Sequence, residues 1–336
     1  MIKCLLKLVS ASFICLSMAP SVQAMPSDGL LHKVSQQVVK VRVALEGGRY
    51  GTGSGVVIAK DRIVTNCHVV ANALHVSITF NGISYTANAM TPDWYHDLCL
   101  VKVEGLDAPI ATIGSSRHLA YEQAVFTVGY PNASPTPSNT FGSVKGLFAM
   151  DDSVVIRASS TFSLGSSGGG MFDDDGNLVG IITLKSPGKQ VYYYYMPVEW
   201  VQALLDKPEE PISTPAQLTF WASQPDKWPY FMQVVQPYLT GNWAALLTVA
   251  KKWRTQEPSN HEALFYLAAA EYAVHNLSSA QVYLQQVIVA NAKHSQAIYY
   301  LTLIAQESDK PMEAWTNVAL AHLEPASKLK SAIFAY

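Results

Sequence analysis

Charge is scarce in this chain. Of its 336 residues, 23 are Lys or Arg and 25 are Asp or Glu, 14% in all, for a net charge of −2. No basic stripe gathers the positive charges, so a nucleic-acid partner is not expected. The scarcity does not signal disorder, because 49% of the residues are apolar, enough for sizeable cores. Cysteine is rarer still, with four in total: Cys4, Cys15, Cys67 and Cys99. The nine histidines show no metal-ligand spacing with Cys or carboxylates, so no metal and no cofactor is expected. Asp173-Asp174-Asp175-Gly176 suggests a calcium loop, but the later bidentate Glu is missing and a solvated turn fits better.

Long apolar runs are missing apart from the N-terminus. There Lys3 and Lys7 precede an apolar stretch to Met18, followed by Pro20 and the small-residue site Val22-Gln23-Ala24. The stretch is short for a membrane span and reads as a cleaved signal peptide over residues 1–24. An exported protein follows, periplasmic or secreted, with no stable membrane anchor after cleavage. Cys67 and Cys99 then remain as an even pair in an oxidising setting, which allows one disulfide.

What the chain does have is a serine among glycines, Gly165-Ser166-Ser167-Gly168-Gly169. Glycine lets the backbone turn its amides toward one point. Ser167 in that setting suits a nucleophile, with the N–H groups of Gly165 and Ser167 as an oxyanion hole. Alone the run is weak, since Gly/Ser stretches are usually loops. A nucleophilic serine needs a base and a group to orient it. His68 ends a β-branched run, and Asp97 opens an apolar strand at Leu98-Cys99-Leu100-Val101. His96 adjoins Asp97, but position 68 has the better sequence context. The run also satisfies the α/β-hydrolase elbow pattern. That elbow requires a helix after the serine, whereas residues 170–182 read as a hairpin.

The order His68, Asp97, Ser167 is that of chymotrypsin-type triads. Gly51-Thr52-Gly53-Ser54-Gly55, Thr65-Asn66-Cys67-His68, Asp97-Leu98-Cys99, residues 165–169 and Leu178-Val179-Gly180 together resemble the blocks of trypsin-like serine proteases, closest to the bacterial HtrA-type branch. The similarity covers roughly residues 38–201. It implies two six-stranded β-barrels with the site in the cleft between them, and peptide-bond hydrolysis with His68 as base, Asp97 as its orienter and Ser167 as nucleophile. Ser166 stands where trypsin-branch enzymes carry an Asp, so activation by a new N-terminal ammonium is not carried over. HtrA-type enzymes usually continue into PDZ domains, which this chain does not resemble. The resemblance places Thr161, Phe162 and Leu164 along one wall of the specificity pocket and Ile182, Thr183 and Leu184 on the other. No carboxylate is among them, so apolar or small side chains are expected before the cut.

If Asp97 reaches His68, Cys99 points the same way, because residues two apart on a strand share a face. A Cys67–Cys99 disulfide is then plausible, and two buried free thiols are the equal alternative.

Further strands are expected at 34–45, 56–59, 74–80, 83–90, 98–103, 125–128, 154–157, 178–184 and 191–196, with a mobile loop at 131–139 and a closing helix at 197–205. Three prolines in residues 207–215 mark an extended spacer. Beyond it strands vanish. Leu264 and Ile298, Leu267 and Leu301, and Ala280 and Ala314 each stand 34 residues apart, the tetratricopeptide period. This segment resembles tetratricopeptide (TPR) repeats at 228–258, 261–292 and 295–324. The expected architecture is multi-domain: a signal peptide at 1–24, an all-β double-barrel domain at 25–206, a linker at 207–220, and an all-α repeat domain at 221–336. The repeat domain is expected to fold alone, to bind a protein partner, and to leave hydrolysis of small peptides to the barrels. A catalytically silent scaffold, binding partners through the repeats, is the competing function.

Overall fold

The computed structural model describes residues 25–188 and 191–307. The expected signal peptide, with Cys4 and Cys15, and the end of the last expected repeat lie outside the described residues. After a short helix α1 (Asp28–Ser35), β1 (Val38–Ala44), β2 (Tyr50–Ala59) and β3 (Arg62–Thr65) run antiparallel, and a one-turn helix α2 (Cys67–Val70) follows. Then come β4 (His75–Phe80), β5 (Ile83–Thr86), β6 (Ala89–Asp93) and β7 (Leu98–Lys102). These seven strands form one antiparallel sheet, ordered β5-β4-β1-β2-β3-β7-β6. Alternation on β1 drives Val39, Val41 and Val43 into a core shared with Val57, Ile63, Val76, Ile78 and Val101.

The second half is a closed six-stranded barrel of β8 (Ala124–Gly129), β9 (Ser138–Met150), β10 (Ser153–Ala158), β11 (Gly170–Asp173), β12 (Leu178–Lys185) and β13 (Tyr193–Pro197). The first half thus differs from the expected six-stranded barrel. Its strand at 83–90 is split around Ala87 and Asn88 into β5 and β6, and among the described residues these two sheet edges do not pair. The 13-residue β9 occupies a stretch that carried no strand signal. Its glycines hid it. A Cβ on Gly142 would sit 2.2 Å from the Ser160 amide, so the strand passes too close to its neighbour for a side chain.

Helix α3 (Val198–Leu204) closes the barrel. The proline-rich stretch beyond it is extended but not free. Glu210 exchanges backbone hydrogen bonds with Met90 on edge strand β6, and Glu209 pairs with Arg62 and Lys102. It is a strap along the first sheet, which blunts that open edge.

The helical region comprises α4 (Tyr230–Gln233), α5 (Val235–Leu239), α6 (Trp243–Gln256), α7 (His261–Ala273), α8 (Leu277–Ala290) and α9 (Ser295–Glu307). It does not pack separately, as a self-contained repeat domain would. Its apolar residues form one cluster with the barrel's: Phe148 on β9 stacks on Phe231 at 4.7 Å between ring centroids, and Tyr194 packs on the same ring. Arg157 on β10 is buried, and among the described residues it has no carboxylate partner. It donates to Tyr266 of α7 at 2.8 Å and lies over the Tyr192 ring. A buried guanidinium needs such hydrogen-bond and π partners to offset lost hydration, which ties barrel and helices together.

Candidate active site

His68 is delivered by α2, one turn that starts where β3 ends, and Asp97 by the turn before β7. β3 and β7 are paired with Thr65 opposite Cys99, so the two segments leave the sheet side by side. Asp97 sits at φ 61°, in the left-handed region that Asp tolerates better than most residues. The turn aims both its backbone and its carboxylate at residues 66–68. Its carbonyl accepts from the Cys67 amide at 3.2 Å and from Asn66 Nδ2 at 2.9 Å. Its Oδ1 accepts from the His68 amide at 2.8 Å, and Oδ2 lies 2.6 Å from His68 Nδ1. The Asp97 carboxylate is fully buried and the imidazole is a third exposed. Nδ1 is thereby committed to the carboxylate, and Nε2 bonds to nothing among the described residues.

Cys67 and Cys99 are joined, with their Cα atoms 4.9 Å apart, and both are buried. The bond lies between the two chain segments that carry His68 and Asp97.

The glycine-rich loop is seated on β2. The Ser54 amide donates to the Ser167 carbonyl at 2.8 Å, and Ser54 Oγ donates to the Gly165 carbonyl at 2.8 Å. Ser54 Oγ also accepts from the Tyr130 amide, and the Ser54 carbonyl accepts from Thr65 Oγ1. One buried serine therefore connects β2, β3, the end of β8 and the loop. Sequence reading passed over Ser54. Its signal was the glycines on either side, which let strand and loop come together: a Cβ on Gly53 would lie 2.5 Å from Val69 and 3.1 Å from the Ser167 carbonyl. At Gly168, with φ +87°, a Cβ would lie 2.2 Å from the Ser54 carbonyl.

Gly165 also has positive φ, +92°. The preceding carbonyl, on Leu164, accepts from the Asn132 amide at 2.6 Å. In a trans peptide C=O and N–H point opposite ways, so this bond turns the Gly165 N–H away from residue 132. Among the described residues neither the Gly165 nor the Ser167 amide donates to a protein acceptor, and Ser167 Oγ makes no hydrogen bond. The Asn132 turn is itself held by Lys40, whose Nζ donates to the carbonyls of Ala133 at 2.6 Å and Ser134 at 3.0 Å.

Of the expected pocket residues, Thr161 and Leu164 are exposed and Phe162 packs edge-on against Tyr193 and Tyr195. Ile182, Thr183 and Leu184 are buried. Thr183 Oγ1 donates to the Ile181 carbonyl and accepts from Asn66 Nδ2, which ties β12 to the His68 segment.

His96 does not compete as a base. Its Nδ1 lies 2.7 Å from Asp93 and its Nε2 3.0 Å from Asp151, and its ring stacks on Trp200 at 3.8 Å. Burial by itself would lower its pKa, but the two carboxylates outweigh burial and hold it above the ordinary histidine value. The Asp93 carboxyl is likewise held below its usual range, with burial opposed by His96. The result is a clasp from the first sheet to the β9–β10 turn. Trp221, beyond the strap, also reaches the site: its Nε1 donates to Asp97 Oδ2 at 3.2 Å.

The geometry combines an imidazole held by a buried carboxylate with a serine loop whose Gly165 and Ser167 amides are unpaired among the described residues. Comparison with known proteins places it. Residues 53–181 match the family model of the trypsin-like peptidase domain. The chain is also similar to two curated bacterial relatives, each named a probable periplasmic serine endoprotease DegP-like. The Marinomonas sp. (strain MWYL1) protein is 31% identical over 171 residues, spanning 48% of this chain and 36% of the relative. The Pseudomonas fulva (strain 12-X) protein is 36% identical over 135 residues, spanning 38% of this chain and 28% of the relative. The chain thus matches about a third of the length of these relatives. Among solved structures, the active form of the Rv3671c protease from M. tuberculosis matches with a TM-score of 0.50 at 20% identity. It covers 63% of this chain and 99% of that one, a likeness of fold.

Proposed function

We propose that the chain is a serine endopeptidase with His68, Asp97 and Ser167 as its triad, in the trypsin-like, HtrA-type manner. The observation that carries this reading is the 2.6 Å contact between His68 Nδ1 and the fully buried Asp97 carboxylate. A carboxylate there fixes the tautomer that leaves Nε2 free to accept a proton, and it stabilises the imidazolium that results. Ser167 Oγ attacks the substrate carbonyl carbon and its proton passes to His68 Nε2. The carbonyl electron pair moves to oxygen, where the Gly165 and Ser167 amides receive the oxyanion. Collapse expels the amine, which takes the proton from His68. Water then repeats the cycle on the acyl-enzyme, and His68 again serves as base.

The finer points of the reading follow. Residues 1–24 act as a signal peptide for export, residues 25–206 form the peptidase unit, 207–220 the linker and 221–336 a TPR-like region that binds a protein partner. The spacing of α7 and α9, which begin at His261 and Ser295, supports the 34-residue repeat. The uncharged residues around Thr161 favour Val, Leu or Ala before the scissile bond over Lys or Arg, and a cleavage profile on a peptide library dominated by Arg would overturn that.

The deciding test is an activity-based fluorophosphonate probe on the mature chain. Wild type should be labelled and Ser167→Ala should not. A folded wild type that resists labelling under all conditions points to the competing reading, a protease-like scaffold.

A further inference from the structure

Among the described residues the Asp97 carboxylate accepts three hydrogen bonds. Two come from His68, through its amide to Oδ1 at 2.8 Å and its Nδ1 on Oδ2 at 2.6 Å. The third comes from Trp221 Nε1, 3.2 Å from Oδ2. Trp221 lies 124 residues further along the chain, beyond the strap, in the segment that leads into the helices. Its ring also meets the His68 ring edge-on, with centroids 5.7 Å apart and planes at 87°. We infer that Trp221 is a positioning residue of the triad, supplied by the segment that leads into the helices and acting through Asp97. The inference rests on the reading of His68, Asp97 and Ser167 as a triad.

The chemistry suits the position. An indole N–H donates and accepts nothing, so it supports the ionised carboxylate without competing for the histidine's proton. The carboxylate is fully buried, and an acceptor site left bare there would carry its whole desolvation cost. Among the described residues no side chain other than His68 and Trp221 donates to it. Thr183, nearby on β12, spends its hydroxyl proton on the Ile181 carbonyl instead. The edge contact with the ring limits rotation of the imidazole, which keeps Nδ1 on Asp97.

The indole is itself held. Phe220 is buried, its amide donates to the Tyr95 carbonyl at 3.0 Å and its ring packs on Tyr95. Thr219 Oγ1 caps the turn at Ala222, and Trp228 Nε1 donates to the Ser223 carbonyl at 3.0 Å. The turn is thus pinned to Tyr95 beside the first sheet and braced locally by Trp228. Local sequence could not show this contact, because neither residue's neighbourhood refers to the other.

The test uses the full chain and a chromogenic peptide with an apolar residue before the cut. Trp221→Phe keeps the ring and removes the donor. Assayed well below the thermal midpoint, it should lower kcat about tenfold, equal to about 1.4 kcal/mol, with KM unchanged, while the bared acceptor lowers the midpoint modestly. Trp221→Ala should lower kcat further, because the imidazole is no longer confined. Added to Asp97→Asn, Trp221→Phe should cost less than it does alone, since its effect passes through the carboxylate. A Trp221→Phe kcat within twofold of wild type, a loss fully additive with Asp97→Asn, or a loss that disappears when the assay is run well below the variant's thermal midpoint would each overturn the inference. Failure of wild type to react with the fluorophosphonate probe overturns the triad reading and this inference with it. A reactive wild type matched by Trp221→Phe overturns this inference alone.

Discussion

Reducing the Cys67–Cys99 pair should destabilise the fold far more than it slows the chemistry. The pair closes a loop with a sequence separation of 32. Constraining a loop of that length in the unfolded chain is worth about 3.7 kcal/mol at 25 °C in the chain-entropy description. Both cysteines are buried in the core of the first sheet, where free thiols would still pack as small hydrophobes. Reduction therefore isolates the cross-link, whereas Cys→Ala variants would add the loss of packing. With a urea slope of roughly 3 kcal/mol per molar, the unfolding midpoint should fall by about 1 M on reduction. Peptide hydrolysis below that midpoint should change little. The Asp97 carbonyl is still held by the Cys67 amide and Asn66, and Thr65 and Cys99 still pair across β3 and β7. The assay is urea unfolding with and without reductant, paired with intact mass after alkylation. Equal midpoints, or alkylation of both Cys67 and Cys99 in the denatured, unreduced chain of residues 25–336, would refute the reasoning.

Two further outcomes are expected. His96 titrates above its ordinary value in the folded protein, so its contribution is complete below the unfolded pKa and is lost as pH rises through the folded one. The stability gap between wild type and His96→Gln should accordingly be about 1 kcal/mol near pH 6 and shrink as the pH is raised, and a gap that widens instead would contradict the clasp. Gly168→Ala puts a Cβ at φ +87° and 2.2 Å from the Ser54 carbonyl. Backbone strain alone is about 1–2 kcal/mol, and relief of the clash must move the serine loop off β2, so fluorophosphonate labelling should fall even where circular dichroism shows a folded chain.

The sequence by itself determined the local chemistry. The glycines of residues 165–169, the β-branched approach to His68 and the apolar strand after Asp97 are short-range patterns, and each dictates its own turn or strand. Alternation placed most strands of both sheets for the same reason. The 34-residue spacing likewise anticipated the starts of α7 and α9. Where glycine replaced side chains on β9, the pattern fell silent, because the need for glycine there is set by a neighbouring strand. Tertiary structure alone decided the long-range partners. It brought Ser54 under the serine loop, laid the proline-rich strap along β6, and fused the helices to the barrel through Phe148 and Arg157. It also carried Trp221 to Asp97 across 124 residues. Such contacts depend on how whole elements stack, and a hydrogen bond between distant residues leaves no mark in the periodicity around either of them.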